Sequence, residues 1–179
     1  MGIASLCLFC GSRPGADPAF EALAAALGRL CADRGVALVY GGGTNGLMGI
    51  AARSALAAGG RVIGVIPECL VAAEVAQAGL SELIVTATLH ERKAAMFARS
   101  DAIVVLPGGI GTMDELFEVM TWRNLGLHDK PIWLLGGAFW RPFADLLGHL
   151  DRAGFAYPGL FALAEPIAGL DALADRLLR

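Results

Sequence analysis

A chain of 179 residues, 56% hydrophobic and 17% charged, is long enough for one domain with a sizeable buried core. Its formal net charge of −3, with no basic run, argues against a nucleic-acid surface. The uncharged stretch Val36 to Ala52 is broken by glycines, and no basic segment precedes an apolar one at the start, so neither a membrane span nor a signal peptide is expected.

Ser5 to Cys10 reads as a first buried strand. Cys7-Leu-Phe-Cys10 is formally C-x-x-C, but in a strand these two cysteines point to opposite faces, which suits neither a redox pair nor a metal site. With Cys31 and Cys69 they read as buried apolar thiols of a reducing cytoplasm. Gly11 to Gly15 turns the chain, and Asp17 caps a helix to about Asp33 whose apolar stripe is Phe20, Leu23, Ala24, Leu27 and Leu30. Ser12 and Arg13 then stand at the carboxyl end of a strand, where open α/β sheets bind ligands; an ordinary solvated turn is the competing reading for Arg13.

Val36 to Tyr40 is the second strand, followed by Gly41-x-Gly43-x-x-Gly46 and a helix to about Ala58. That spacing fits a dinucleotide fingerprint, with Glu68 some 20 residues on as a ribose-binding acid. It follows the second strand rather than the first, which weakens the fit. Arg61 to Pro67 is a third strand, and Glu74 falls in a mixed loop beyond it. Leu83 to Thr86 is short. Thr88-x-x-Glu91 is a capping box that opens the next helix, which makes Glu91 structural. Arg92 and Lys93 fall in the first turns, against the helix dipole, which suggests an anionic partner.

Ala102 to Leu106 is the next buried strand, and a helix is expected from Thr112 to about Leu125. Between them lie Gly108, Gly109 and Gly111, whose bare backbone lets a ligand approach the N–H groups at a helix start. This is a site for an anion, most often a phosphate. Glu115 lies one turn into the helix, where it can face that ligand; Thr112-x-x-Glu115 is equally a capping box. Glu118 follows three residues later on the same face, so two carboxylates resemble a glycosidase pair. Ile132 to Leu135 is the last strong strand, then come a helix from Phe139 to about Ala153, an extended piece near Pro166-Ile167 and a closing helix. Strands alternate with helices throughout, so the fold class is α/β: a Rossmann-like, doubly wound parallel sheet with helices on both faces.

Pro107-Gly108-Gly109-x-Gly111-Thr112-x-x-Glu115 resembles the PGGxGTxxE signature of the LOG-type ("Lonely guy") cytokinin riboside 5′-monophosphate phosphoribohydrolases. The run from Gly41 to Gly49 is similar to that family's GGGxxGLMG segment. Leu89 to Lys93 resembles its MHxRK, with Leu89 replacing Met, and Glu118 to Trp122 its EVxTW. The resemblance covers nearly the whole chain and implies one nucleotide-binding domain over residues 1–179.

It implies hydrolysis of the N-glycosidic bond of purine nucleoside 5′-monophosphates, with Arg92 and Glu115 as the catalytic residues. Implied substrate contacts are Glu74, Arg92 and Lys93, the turn Gly108, Gly109, Ile110 and Gly111, and beyond it Thr112, Met113, Asp114 and Thr121. Ser12, Gly43 and Glu118 are further candidates, and Trp122 reads as core. Neither cofactor nor metal is implied. A cytoplasmic homodimer is expected, and the apolar excess agrees with a buried subunit interface. Three rivals stand beside this reading. A non-catalytic nucleotide or molybdenum-cofactor carrier would bind without turnover, and a nicotinamide oxidoreductase would bind NAD. A lysine decarboxylase would need a Schiff-base lysine, and Lys93 and Lys130, the chain's two lysines, stand in no recognisable cofactor setting.

Overall fold

The computed structural model describes residues 2–74 and 77–178, with residues 72–74 described by their backbone alone. Among these, seven strands form one parallel sheet: β1 Ser5–Phe9, β2 Ala37–Tyr40, β3 Val62–Pro67, β4 Glu82–Thr86, β5 Ala102–Val105, β6 Ile132–Leu134 and β7 Glu165–Pro166. Helices α1 Pro18–Asp33, α2 Gly46–Ala57, α3 Glu68–Glu74, α4 Leu89–Ala98, α5 Ile110–Asn124, α6 Arg141–Arg152 and α7 Leu170–Leu177 connect or follow them. Among the described residues no helix is long and apolar enough to cross a membrane.

The strands are apolar and β-branched because helices cover both faces. Alternation along each strand then splits the core in two. Leu6, Leu8, Leu38, Tyr40 and Val104 pack on one face with Leu27 of α1, Ala51 of α2 and Leu173 of α7. Cys7, Phe9, Val39, Ile103 and Val105 pack on the other with Met96 of α4, Leu116 of α5 and Phe143 of α6. Cys7 and Cys10 do face opposite sides, and the four cysteines are free thiols; Cys7 and Cys31 are buried, whereas Cys10 is half-buried and Cys69, against the expectation of a buried thiol, is exposed on α3.

Local chemistry sets the element boundaries. The Asp17 carboxylate accepts from the Ala19 N–H at 2.9 Å, and Pro18 occupies the first helical position, so α1 starts where expected. Two expectations are corrected. Glu74 does not lie in a loop: it ends α3, because the good helix formers from Glu68 onward continue the chain helically after Pro67. Its side chain lies outside the described residues. Phe139 does not open a regular helix, for Gly137–Trp140 is a 3₁₀ turn and α6 begins at Arg141, with Pro142 in its first turn.

The strand order is β4-β3-β2-β1-β5-β6-β7. The chain winds outward from β1 to one side, then restarts beside it with β5. The reversal leaves a crevice outside the carboxyl ends of β1 and β5. Across it, the Gly11 N–H donates to the Pro107 carbonyl at 3.0 Å, and the Leu47 N–H to the Gly11 carbonyl at 3.0 Å. At the opposite end of the same seam, one Asp101 carboxylate oxygen accepts from the Ala4 N–H, the Ser5 N–H and the Ser5 hydroxyl.

Candidate active site

The crevice opens into a cavity of about 620 Å³. One wall is the turn Gly108 to Thr112, which runs into α5. Here the structure corrects the expected helix start: Gly109 is the cap and Ile110 the first helical residue, so Thr112 lies inside the helix. The alternative capping box from Thr112 to Glu115 is therefore absent. No side chain caps α5, so its first N–H groups and dipole are directed at the cavity. Thr112 is 3% exposed, and its hydroxyl rests against the bare Cα of Gly108, where an added Cβ would sit 2.1 Å from the Thr112 oxygen.

Arg92 enters from the opposite wall. The expected cap forms at the start of α4, with the return bond shifted by one residue: the Thr88 hydroxyl accepts from the Glu91 N–H at 3.1 Å, and the Glu91 carboxylate accepts from the Ala87 N–H, just before the cap, at 2.9 Å. Arg92 then projects over the strand ends, 8% exposed. Its Nε donates to the Val65 carbonyl at 3.1 Å and its Nη2 to the Gly41 carbonyl at 2.7 Å. A guanidinium so held has little freedom to move. Glu115 lines the cavity from α5, half-buried. Burial, and then the negative charge of Glu115, push the Cys10 thiol well above its ordinary pKa, which sets the carboxylate near the end of β1.

Arg92, Glu115 and the glycine turn thus meet at one cavity, as does Ser12. Arg13 lines it too, exposed and at the strand end the sequence marked. Other expected contacts fall elsewhere. Lys93 and Glu118 are joined outside the lining, Lys93 Nζ lying 2.9 Å from Asp114 and 3.1 Å from Glu118. The Thr121 hydroxyl donates to the Phe117 carbonyl at 2.7 Å. Met113 packs on the second core cluster, and Gly43 is buried in the turn after β2. Burial alone would lower the pKa of Lys93, but hydrogen bonds to Asp114 and Glu118 outweigh it and hold the ammonium above its ordinary range. The apolar wall of Phe20, Leu47, Met48 and Phe139 carried no signal in the sequence beyond ordinary core spacing. Among the described residues no cluster of three or more His, Cys, Asp or Glu could hold a metal ion.

Solved structures share this architecture. A molybdenum cofactor binding protein from Rippkaea orientalis superposes with a TM-score of 0.72 at 20% identity, over 98% of this chain and 95% of that one. A molybdenum-cofactor carrier protein from Chlamydomonas reinhardtii does so with a TM-score of 0.71 at 23% identity, over 96% and 93%. At that identity the likeness speaks for the fold alone. Closer in sequence is a probable cytokinin riboside 5′-monophosphate phosphoribohydrolase of Oryza sativa subsp. japonica, 48% identical over 84% of this chain and 68% of its own. A cytokinin riboside 5′-monophosphate phosphoribohydrolase of Rhodococcoides fascians is 46% identical over 86% and 79%. The family model described as "Possible lysine decarboxylase" matches residues 48–177. On that identity and coverage, this chain belongs to the LOG-type cytokinin riboside 5′-monophosphate phosphoribohydrolase family.

Proposed function

We propose that this protein is an N-glycosidase that hydrolyses purine nucleoside 5′-monophosphates, AMP and N6-substituted AMP, to ribose 5-phosphate and free base. The observation that carries the reading is the meeting of Arg92, Glu115 and the uncapped start of α5 at one cavity. The phosphate is held by the N–H groups of residues 110–112 and by the Thr112 hydroxyl, with the helix dipole behind them. Glu115 then faces the anomeric carbon. As the C1′–N9 bond breaks, its electron pair leaves with the base, and Glu115 stabilises the positive charge left on the sugar. The same carboxylate takes a proton from the water whose oxygen bonds to C1′, and the departing base takes up one proton from solvent as Glu115 later releases its own, which restores the carboxylate. Arg92 orients the nucleotide and stabilises negative charge on the base.

Arg13 and Ser12 add polar contacts at the mouth of the cavity. We further propose that residues 1–179 act as one domain, in the cytoplasm, and as a homodimer. Four free thiols support the compartment, and exposed apolar side chains such as Ile110 and Leu89, 87% and 52% exposed, support the dimer. Lysine decarboxylation by a Schiff base finds no support, because neither Lys93 nor Lys130 lines the cavity.

Incubation with AMP, followed by chromatography for adenine and ribose 5-phosphate, tests the proposal. Release of both in equal amounts supports it. AMP binding without release would favour the carrier reading, and saturable NAD binding without AMP turnover would favour the oxidoreductase.

A further inference from the structure

Lys93 and Asp114 are each the chain neighbour of a residue placed in the chemistry, Arg92 and Glu115. Lys93 Nζ bridges Asp114 at 2.9 Å and Glu118 at 3.1 Å, and its side chain is 11% exposed. None of these three side chains lines the cavity. Successive helical residues point about 100° apart, so a bond between Lys93 and Asp114 fixes the rotation of α4 and α5 that turns Arg92 and Glu115 inward. Asp114 and Glu118 stand one turn apart on α5, and two like charges at that spacing repel. Lys93 lies between them and cancels that repulsion where the helix carries Glu115.

We propose that Lys93 is a positioning residue, which ties the first turns of α4 to those of α5 and sets the distance between the Arg92 guanidinium and the Glu115 carboxylate. The inference rests on the phosphoribohydrolase reading of the cavity. It assigns Lys93 to the alignment of the catalytic pair and not to contact with the nucleotide. The bond also explains a basic residue near the start of a helix, where the dipole disfavours it: the compensating charges come from the neighbouring helix.

Steady-state kinetics with AMP test this. Lys93→Met should lower kcat on the order of 10- to 100-fold, as misplacement of a reacting group by up to about 1 Å does, with KM within about twofold. Lys93→Arg keeps both ion pairs and should stay within about threefold of wild type. The triple variant Lys93→Met, Asp114→Asn, Glu118→Gln removes the repulsion and should regain about fivefold or more over Lys93→Met alone. A rise in KM of about tenfold with kcat retained would show that Lys93 grips the substrate and would overturn the proposal. So would an unchanged kcat, or a triple variant no better than the single one. If Lys93→Met does not fold, Asp114→Asn carries the same kcat-against-KM reading with one of the two pairs left in place. A wild type that releases no base from AMP would overturn the reading of the cavity itself, whereas an active wild type with an unaffected Lys93→Met overturns the positioning role alone.

Discussion

The Gly41 carbonyl accepts a 2.7 Å hydrogen bond from Arg92 Nη2, and a Cβ added to Gly41 would lie 2.1 Å from that same nitrogen. The first glycine after β2 is therefore the seat of the guanidinium. Its bareness serves a side chain of this protein, not a dinucleotide.

Gly41→Ala should evict Arg92 while leaving the fold intact, because the atom it strikes is the end of a flexible side chain. We expect kcat for AMP to fall by on the order of 10²-fold, with a modest drop in the urea midpoint because the Val65 and Gly41 carbonyls lose their donor. A fully active Gly41→Ala would show that Arg92 works from another position.

Glu115→Gln keeps the size of the side chain and removes its charge and its basicity. Turnover should drop by on the order of 10³-fold, while calorimetry finds AMP binding within a fewfold of wild type. Equal loss of binding and turnover would instead make Glu115 a substrate grip.

Gly108→Ala meets harder obstacles. Its Cβ would fall 2.1 Å from the Thr112 hydroxyl oxygen and 2.8 Å from the backbone nitrogen of Gly11. Both loops of the crevice must then shift. The variant should lose about 1–3 kcal/mol of stability and most of its affinity for AMP, read by denaturation and by calorimetry.

Asp101 gives stability a dependence on acid. Burial would raise its pKa, but hydrogen bonds from the Ser5 hydroxyl and from the Ala4 and Ser5 N–H groups outweigh it and hold the carboxyl below its ordinary 3.8. A group depressed in the folded state stabilises above its unfolded value and loses that contribution as pH falls through the folded one. Asp101→Asn should therefore be less stable than wild type by about 1 kcal/mol at pH 6, and the gap should narrow as pH falls below the ordinary carboxyl value of 3.8. Urea midpoints measured across that range check it.

The cysteines should separate by reactivity. Burial raises Cys7 and Cys10, and pushes Cys31 up to about 12, whereas Cys69 is exposed on α3. Iodoacetamide at pH 7.5 should label Cys69 first and Cys10, which lines the cavity with a raised pKa, slowly, with Cys7 and Cys31 protected until the chain unfolds. Peptide mass spectrometry after timed quenching reads the order.

What the sequence carried was whatever acts locally. Apolar runs of four to six residues bounded by glycine, proline or a charged residue marked the central strands, and Asp17-Pro18 and Thr88-x-x-Glu91 marked helix starts by their own hydrogen bonds. The start of α5 was misread because Thr112 has the chemistry of a cap. Gly109 takes that place instead, since Ile110 and Gly111 already follow the helical path and leave the turn open to the cavity. The seat of Arg92 on Gly41 spans 51 positions and the bridge from Lys93 to Asp114 spans 21, so neither leaves a periodic trace. Strand β7 is two residues long and was visible only as an extended piece beside a proline.

The seam between β1 and β5 has a consequence for biosynthesis. Ser5 and Asp101, bonded across it, are 96 positions apart, and Gly11 waits for Pro107. A chain still emerging from the ribosome at residue 100 holds β1 with one edge unpaired and has neither Pro107 nor Glu115. A nascent chain therefore gains the cavity only once the segment from Ala102 to Glu115 has docked beside the first strand.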